Sequence, residues 1–159
     1  MRLSRAGEYA VRCVLHMASR PMGQVVPRWA VAQAMDIPPP FLAKIGQQLA
    51  RVGVLEIVQG AKGGFRLRRP PEQVTLLEVV EAVMGELFLN DCIMRPASCP
   101  RSQDCTVHRV WQKARAQLRQ TLAEATFQSL LEGQSCFVPA PAHETTSSPP
   151  RSGTREQES

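Results

Sequence analysis

The sequence predicts a mainly α fold with one small β-hairpin: a basic three-helix unit, the hairpin, and then a long amphipathic helix. Three observations carry this. Apolar residues recur at spacings of three and four through successive segments. Two short strand-like runs flank Gly60-Ala61-Lys62-Gly63-Gly64. The charge is uneven: residues 1–70 hold eleven basic and three acidic side chains, a net of +8, while residues 71–135 carry −2 and the last 24 carry −1. At 159 residues, 43% hydrophobic and 5% aromatic, the chain suits one core plus an accessory element. No apolar run reaches the length of a membrane span, and no apolar h-region follows Met1 to Gly7, so the expectation is a cytoplasmic protein with no membrane partner. In that compartment the five cysteines read as thiols or metal ligands rather than disulfides.

The elements follow in order. Ser4 is placed to cap a first helix, with Glu8 in its first turn and Ala6, Ala10, Cys13, Val14 and Met17 on one face. Arg20-Pro21-Met22-Gly23 breaks that helix. Val25-Val26 is a short apolar lead-in, and Pro27 suits the first position of a short second helix that turns Ala30, Val31 and Ala34 inward. Asp36 to Pro40 is a stiff turn. A third helix runs from about Pro40 to Val52, with Phe41, Leu42, Ile45, Leu49 and Val52 as its stripe and Gly53 as its terminator. The hairpin spans Val54 to Arg68. Thr75 to Glu78 has the form of a capping box, with Val74 and Val79 at the staple positions, and opens a fourth helix with Leu76, Val79, Val80 and Val83 inward. A long helix starts near Thr106, where Val107, Val110, Trp111, Ala114, Leu118, Leu122 and Ala125 keep helical spacing; a short helical turn, Thr126 to Leu131, follows it. From Cys136 onward Pro, Ser, Thr and Glu dominate, which reads as a disordered tail.

Helix, short helix, turn, amphipathic helix and hairpin is the order of a winged helix-turn-helix. An α-helix fits the major groove of DNA, and a basic hairpin reaches the neighbouring backbone or minor groove. The candidate DNA-contacting residues are Arg28 on the second helix, Pro39, Pro40, Ala43, Lys44, Gln47, Gln48 and Arg51 on the third, and Gln59, Lys62 and Arg66 on the hairpin. The Gly-rich turn is not a phosphate loop, because it lacks Gly-Lys-Ser/Thr and precedes a strand rather than a helix. No acid–base pair is recognisable and only three histidines exist, so an enzyme is not expected. The organisation reads as residues 1–72, a DNA-binding domain; 73–105, a linker helix and cysteine-rich loop; 106–135, a dimerisation helix; and 136–159, the tail.

A second constellation is Cys92-x6-Cys99-x5-Cys105-x2-His108, three thiols and an imidazole within 17 residues. Cys105 and His108, three apart at a helix start, can face one site. Thiolates and imidazole suit iron–sulfur clusters and zinc alike, and the spacing does not separate the two. Cys13 reads as core, and neither Cys136, His16 nor His143 is given a ligand role.

Several stretches resemble a known family. They are Met1-Arg2-Leu3-Ser4 with Glu8-Tyr9-Ala10-Val11-Arg12; Ile37-Pro38 leading into Phe41-Leu42; Val52-Gly53-Val54-Leu55; Gly63-Gly64-Phe65-Arg66-Leu67; Thr75-Leu76-Leu77-Glu78-Val79; and the cysteine–histidine set followed by Val110-Trp111. Together, over about residues 1–132, the chain is similar to the Rrf-two family of bacterial winged-helix regulators. The resemblance implies a homodimer of paired long helices that binds a double-stranded DNA operator as a transcription regulator, such as a repressor. It also implies an iron–sulfur cluster, 2Fe-2S or 4Fe-4S, on Cys92, Cys99, Cys105 and His108, responding to cluster status, redox or nitric oxide. In some relatives the fourth ligand is an acidic residue on the partner's first helix, the position of Glu8 here. The alternative is a regulator of the same fold with no cluster, its cysteines serving zinc or thiol redox sensing. The chain departs from the family pattern at the wing tip, where Gln59 stands for an arginine and Lys62 for a glycine, and at Pro38-Pro39-Pro40, where some relatives carry serines.

Overall fold

A computed structural model of the protein describes residues 3–101 and 104–133; the tail expected at 136–159 lies outside the described residues. Helix α1 (Arg5–Ala18) starts where predicted: Ser4 Oγ accepts from the Gly7 amide at 3.2 Å. Its inward face is Gly7, Ala10, Cys13, Val14 and Met17, so the stripe begins on Gly7 and Ala6 is half-buried. Burial pushes the Cys13 thiol up to about 12, which leaves it protonated and inert.

Helix α2 (Arg28–Met35) corrects two expectations. Pro27 is its cap rather than its first residue, with an extended backbone whose carbonyl accepts from Ala30 and Val31. Ala34 is exposed, because Val31 and half-buried Met35, four apart, centre the inward face and rotate Ala34 away from it. Asp36 ends the helix in the left-handed region (φ 50°), a conformation that aspartate tolerates better than most residues. Helix α3 (Pro39–Arg51) buries Leu42, Ile45, Gly46 and Leu49. Phe41 and Val52, expected in the stripe, are exposed: Phe41 lies to one side of the line that Leu42, Ile45 and Leu49 define, and Val52 is the cap residue just past the last turn of the helix. Phe41 instead meets Tyr9 edge to face, ring centroids 5.9 Å apart. Gly46 takes the vacated core position because the Phe65 ring lies directly against it, and a Cβ there would overlap the ring.

Strands β1 (Leu55–Val58) and β2 (Gly64–Leu67) pair antiparallel in the register Leu55↔Leu67 to Val58↔Gly64. Val26 is more than a lead-in. It pairs with Phe65 through two backbone bonds of 2.8 and 2.9 Å and so adds a third, one-residue strand that ties the start of α2 to the hairpin. Arg69 fastens the hairpin base. Its Nε donates to the Gly53 carbonyl, one terminal nitrogen donates to the Gln73 carbonyl, and the other pairs with Glu78. That pairing explains why the capping box at the head of α4 (Leu76–Met84) is half-formed: Thr75 Oγ1 accepts from the Glu78 amide, but the Glu78 carboxylate is held by Arg69. Val74 and Val79, the staple pair, are both fully buried.

After α4 come the single turn α5 (Asp91–Met94) and a 3-10 turn, Pro96–Ser98. Helix α6 (Thr106–Glu124) then runs back, and α7 (Phe127–Leu131) follows it. A bridge between Thr75 and Thr126 joins the α6–α7 corner to the head of α4, with Leu76 N to Ala125 O at 2.8 Å and Phe127 N to Val74 O at 2.9 Å. Phe127 is wholly buried in the same core as α1 and the hairpin, so α7 packs into the winged unit rather than extending the long helix. No described helix is long and apolar enough to cross a membrane.

Candidate nucleic-acid interface and thiol segment

Helix α3 carries no acidic residue, and its outward side presents Lys44, Gln47 and Arg51 exposed, with Ala43 and Gln48 half-buried beside them. Pro39 and Pro40 form its exposed first turn. The remaining sequence-predicted candidates lie on α2 and the hairpin, which the Val26–Phe65 pairing joins. Arg28 is exposed at the first position of α2, just after the Val26–Phe65 bridge, while Gln59 and Lys62 are exposed in the hairpin turn. Arg66 differs. It points across the hairpin to Glu56, Nη2 to Oε1 2.8 Å, so its charge is locally offset and it is the weakest phosphate candidate of the set. Arg68, exposed at the end of β2, was not singled out from the sequence. It lies past the paired residues of the hairpin and makes no ion pair among the described residues.

The thiols lie on three short pieces of backbone. Cys92 is in α5, Cys99 ends the 3-10 turn, and Cys105 is the N-cap residue of α6; all three are free and half-buried. His108 is buried in the first turn of α6. Its backbone amide donates to the Cys105 carbonyl at 3.1 Å, and its imidazole Nδ1 is buried with no hydrogen-bond partner among the described residues. A buried polar atom without a partner costs roughly 1–3 kcal/mol, so it calls for an explanation. The donor chemistry and this unpartnered nitrogen fit a thiolate–imidazole metal group. Among the described residues, however, no three His, Cys, Asp or Glu side chains converge on one point, so the expected ligand set is present in sequence but not gathered. Glu8 is exposed on α1 and lines a groove with Leu118 and Leu122 of α6. His108 precedes Leu118 by ten residues, roughly 15 Å along the helix. The protomer therefore does not bring its own Glu8 to its own His108.

Charge holds the start of the thiol segment in place. Arg119 of α6 pairs with Glu81 of α4, and Arg115 of α6 with Glu86, two residues past the end of α4. The Leu87 amide donates to Glu81 at 2.8 Å, and its carbonyl accepts from Arg115 Nε at 2.8 Å. Leu87 is thus gripped from both sides five residues before Cys92. The long apolar stripe of α6 divides. Leu118 and Leu122 are half-buried in a groove that α6 forms with α1 and α4, while Val107 (54% exposed), Val110 (63%) and Trp111 (38%) face outward.

Comparison with known proteins gives a consistent picture. Residues 3–133 match the family model Rrf2, described as "Iron-dependent Transcriptional regulator". Protein aau3 of Rhizobium meliloti is 31% identical over 136 residues, covering 84% of this chain and 87% of that one. The HTH-type transcriptional regulator NsrR of Shouchella clausii is 29% identical over 132 residues, covering 82% and 89%. Among solved structures, CymR, titled the global cysteine regulator of B. subtilis, superposes with a TM-score of 0.66 at 16% identity over 84% of this chain and 98% of that one. T. potens IscR gives 0.64 at 19% over 88% and 94%. At those identities the two structures speak for the winged-helix fold alone.

Proposed function

This chain belongs to the Rrf2 family of transcriptional regulators, and from that premise we propose that it is a homodimeric, operator-binding regulator whose DNA affinity is set by an iron–sulfur cluster. Cys92, Cys99, Cys105 and His108 would hold the group. The observation that carries this is His108: a buried imidazole nitrogen without a partner, one helical turn from a cysteine at a helix N-cap. A bound cluster supplies iron that responds to redox change and to nitric oxide. The chain's own part is to tie three separate short segments, α5, the 3-10 turn and the head of α6, to one point. A brown, oxygen-sensitive protein with matching iron and sulfide counts is the expected preparation. A colourless protein containing zinc, or one in which the free thiols alone respond to oxidant, would replace this reading with the thiol or zinc alternative.

The DNA reading rests on the exposed cationic side of α3 and the wing. Lys44→Ala, Arg51→Ala and Lys62→Ala are expected to weaken operator binding while leaving the fold intact, each lost phosphate contact flattening the log–log salt dependence by about one unit. Wild-type affinity and slope in all three would place the interface elsewhere.

The dimer reading rests on Val107 and Val110, which stay exposed among the described residues, with Trp111 partly exposed beside them. Because Val110 is already exposed, Val110→Glu spares the protomer's own core. Sedimentation at micromolar concentration is expected to give two chains for the wild type and one for this variant, with unchanged helical content. A wild-type particle of one chain would exclude the dimer.

A further inference from the structure

Trp29 is the most exposed large apolar side chain among the described residues, at 70%, and it packs into no core. It sits in the first turn of α2 at the mouth of a groove between α1 and α2, whose rim includes Arg20, Gln24, Pro27 and Gln33 and no carboxylate. Arg28, its neighbour in sequence, is exposed as well. The start of α2 is continuous with the wing: Val26 pairs with Phe65 on β2, and Gly64 lies against the Val26 carbonyl and the Pro27 Cα. An exposed indole that shares its groove with the Arg20 guanidinium and the Gln24 and Gln33 amides suits a polyanion better than an apolar protein face. Its flat ring can lie against a sugar, and its N–H donates to a phosphate oxygen.

We propose that Trp29, with Arg20 and next to the already expected Arg28, seats the DNA sugar–phosphate backbone beside the wing, extending the contact from α3, Arg28 and the hairpin into the groove between α1 and α2. This rests on the reading that the chain binds operator DNA. A contact of this kind reads no base, so it adds affinity without sequence preference.

The test uses the full chain labelled with 5-fluorotryptophan. Two tryptophans are present, so the fluorine spectrum holds two resonances, and the Trp29 signal is the one missing from Trp29→Phe. Addition of an operator duplex is expected to shift that resonance, saturating at the midpoint of fluorescence-anisotropy binding by labelled DNA. Trp29→Ala is expected to weaken binding by roughly three- to tenfold, equally for operator and unrelated duplex. A Trp29 resonance that stays in place while anisotropy shows a saturated complex overturns the proposal, and would leave the indole to a protein partner. A wild-type chain that binds no duplex at all overturns the operator reading and this inference together.

Discussion

Holo and apo forms of the protein, compared anaerobically, are expected to differ in operator affinity by about 5–150-fold, the usual range of coupling between two sites. The physical route is visible in the fold. The thiol segment joins α4 to α6, and its first residues are anchored through Leu87 to Glu81 and Arg115. Helix α4 is in turn bonded at its other end to the wing base, through Glu78 and Arg69. Gathering Cys92, Cys99 and Cys105 to one point would rearrange a segment whose donors do not converge among the described residues, and the Arg119–Glu81 pair, with Arg115–Glu86 just beyond the end of α4, would pass a displacement to α4. Cys92→Ala, Cys99→Ala and Cys105→Ala should each abolish the normal absorption spectrum and bring operator affinity to the apo value. His108→Ala should weaken or alter the spectrum, and Glu8→Ala should leave it unchanged. A spectral change from Glu8→Ala with none from His108→Ala would transfer the fourth position to the acidic residue. Equal affinities of holo and apo protein across a panel of family-type operators would strip the cluster of any regulatory role.

Gly64→Ala is expected to cost about 2–4 kcal/mol of stability and to lower operator affinity. A Cβ at this position would overlap the Val26 carbonyl and crowd the Pro27 Cα, which are backbone atoms rather than the yielding end of a side chain. The variant must therefore part the wing from the start of α2, giving up the two Val26–Phe65 hydrogen bonds at about 1 kcal/mol each and adding strain of the overpacking kind. Chemical denaturation measures the first effect. Titration with operator measures the second, because Lys62, Arg28 and α3 then lose their common frame. Stability within 0.5 kcal/mol of the wild type, a margin usual for harmless surface substitutions, would show that the approach of β2 to Val26 is not required.

The element order was legible in the sequence because each element rests on local chemistry. Ser4 and Thr75 cap helices by their own hydroxyls, Gly53 supplies a left-handed terminator, and the valine-rich and glycine-rich runs of the hairpin need no distant partner to declare themselves. The cationic residues of α3 were legible for the same reason: a solvated side opposite a periodic apolar stripe is a property of one helix. The thiol and imidazole donors were legible as chemistry, from type and spacing.

Tertiary structure decided what depends on two segments meeting. It put Gly46 in the core in place of Phe41, because the space there is shaped by the Phe65 ring and a glycine carries no hydrophobic signal. It turned Val26 into a strand and drew Glu78 away from its own helix cap to Arg69. Arg66 kept its charge but lost much of its outward field to Glu56, a partner ten residues away that only the hairpin register brings alongside. The division of the α6 stripe into an inward Leu118–Leu122 half and an outward Val107–Val110 half was likewise beyond periodicity. A helix repeats its faces along its whole length, and only the elements packed against it determine how much of each face meets water.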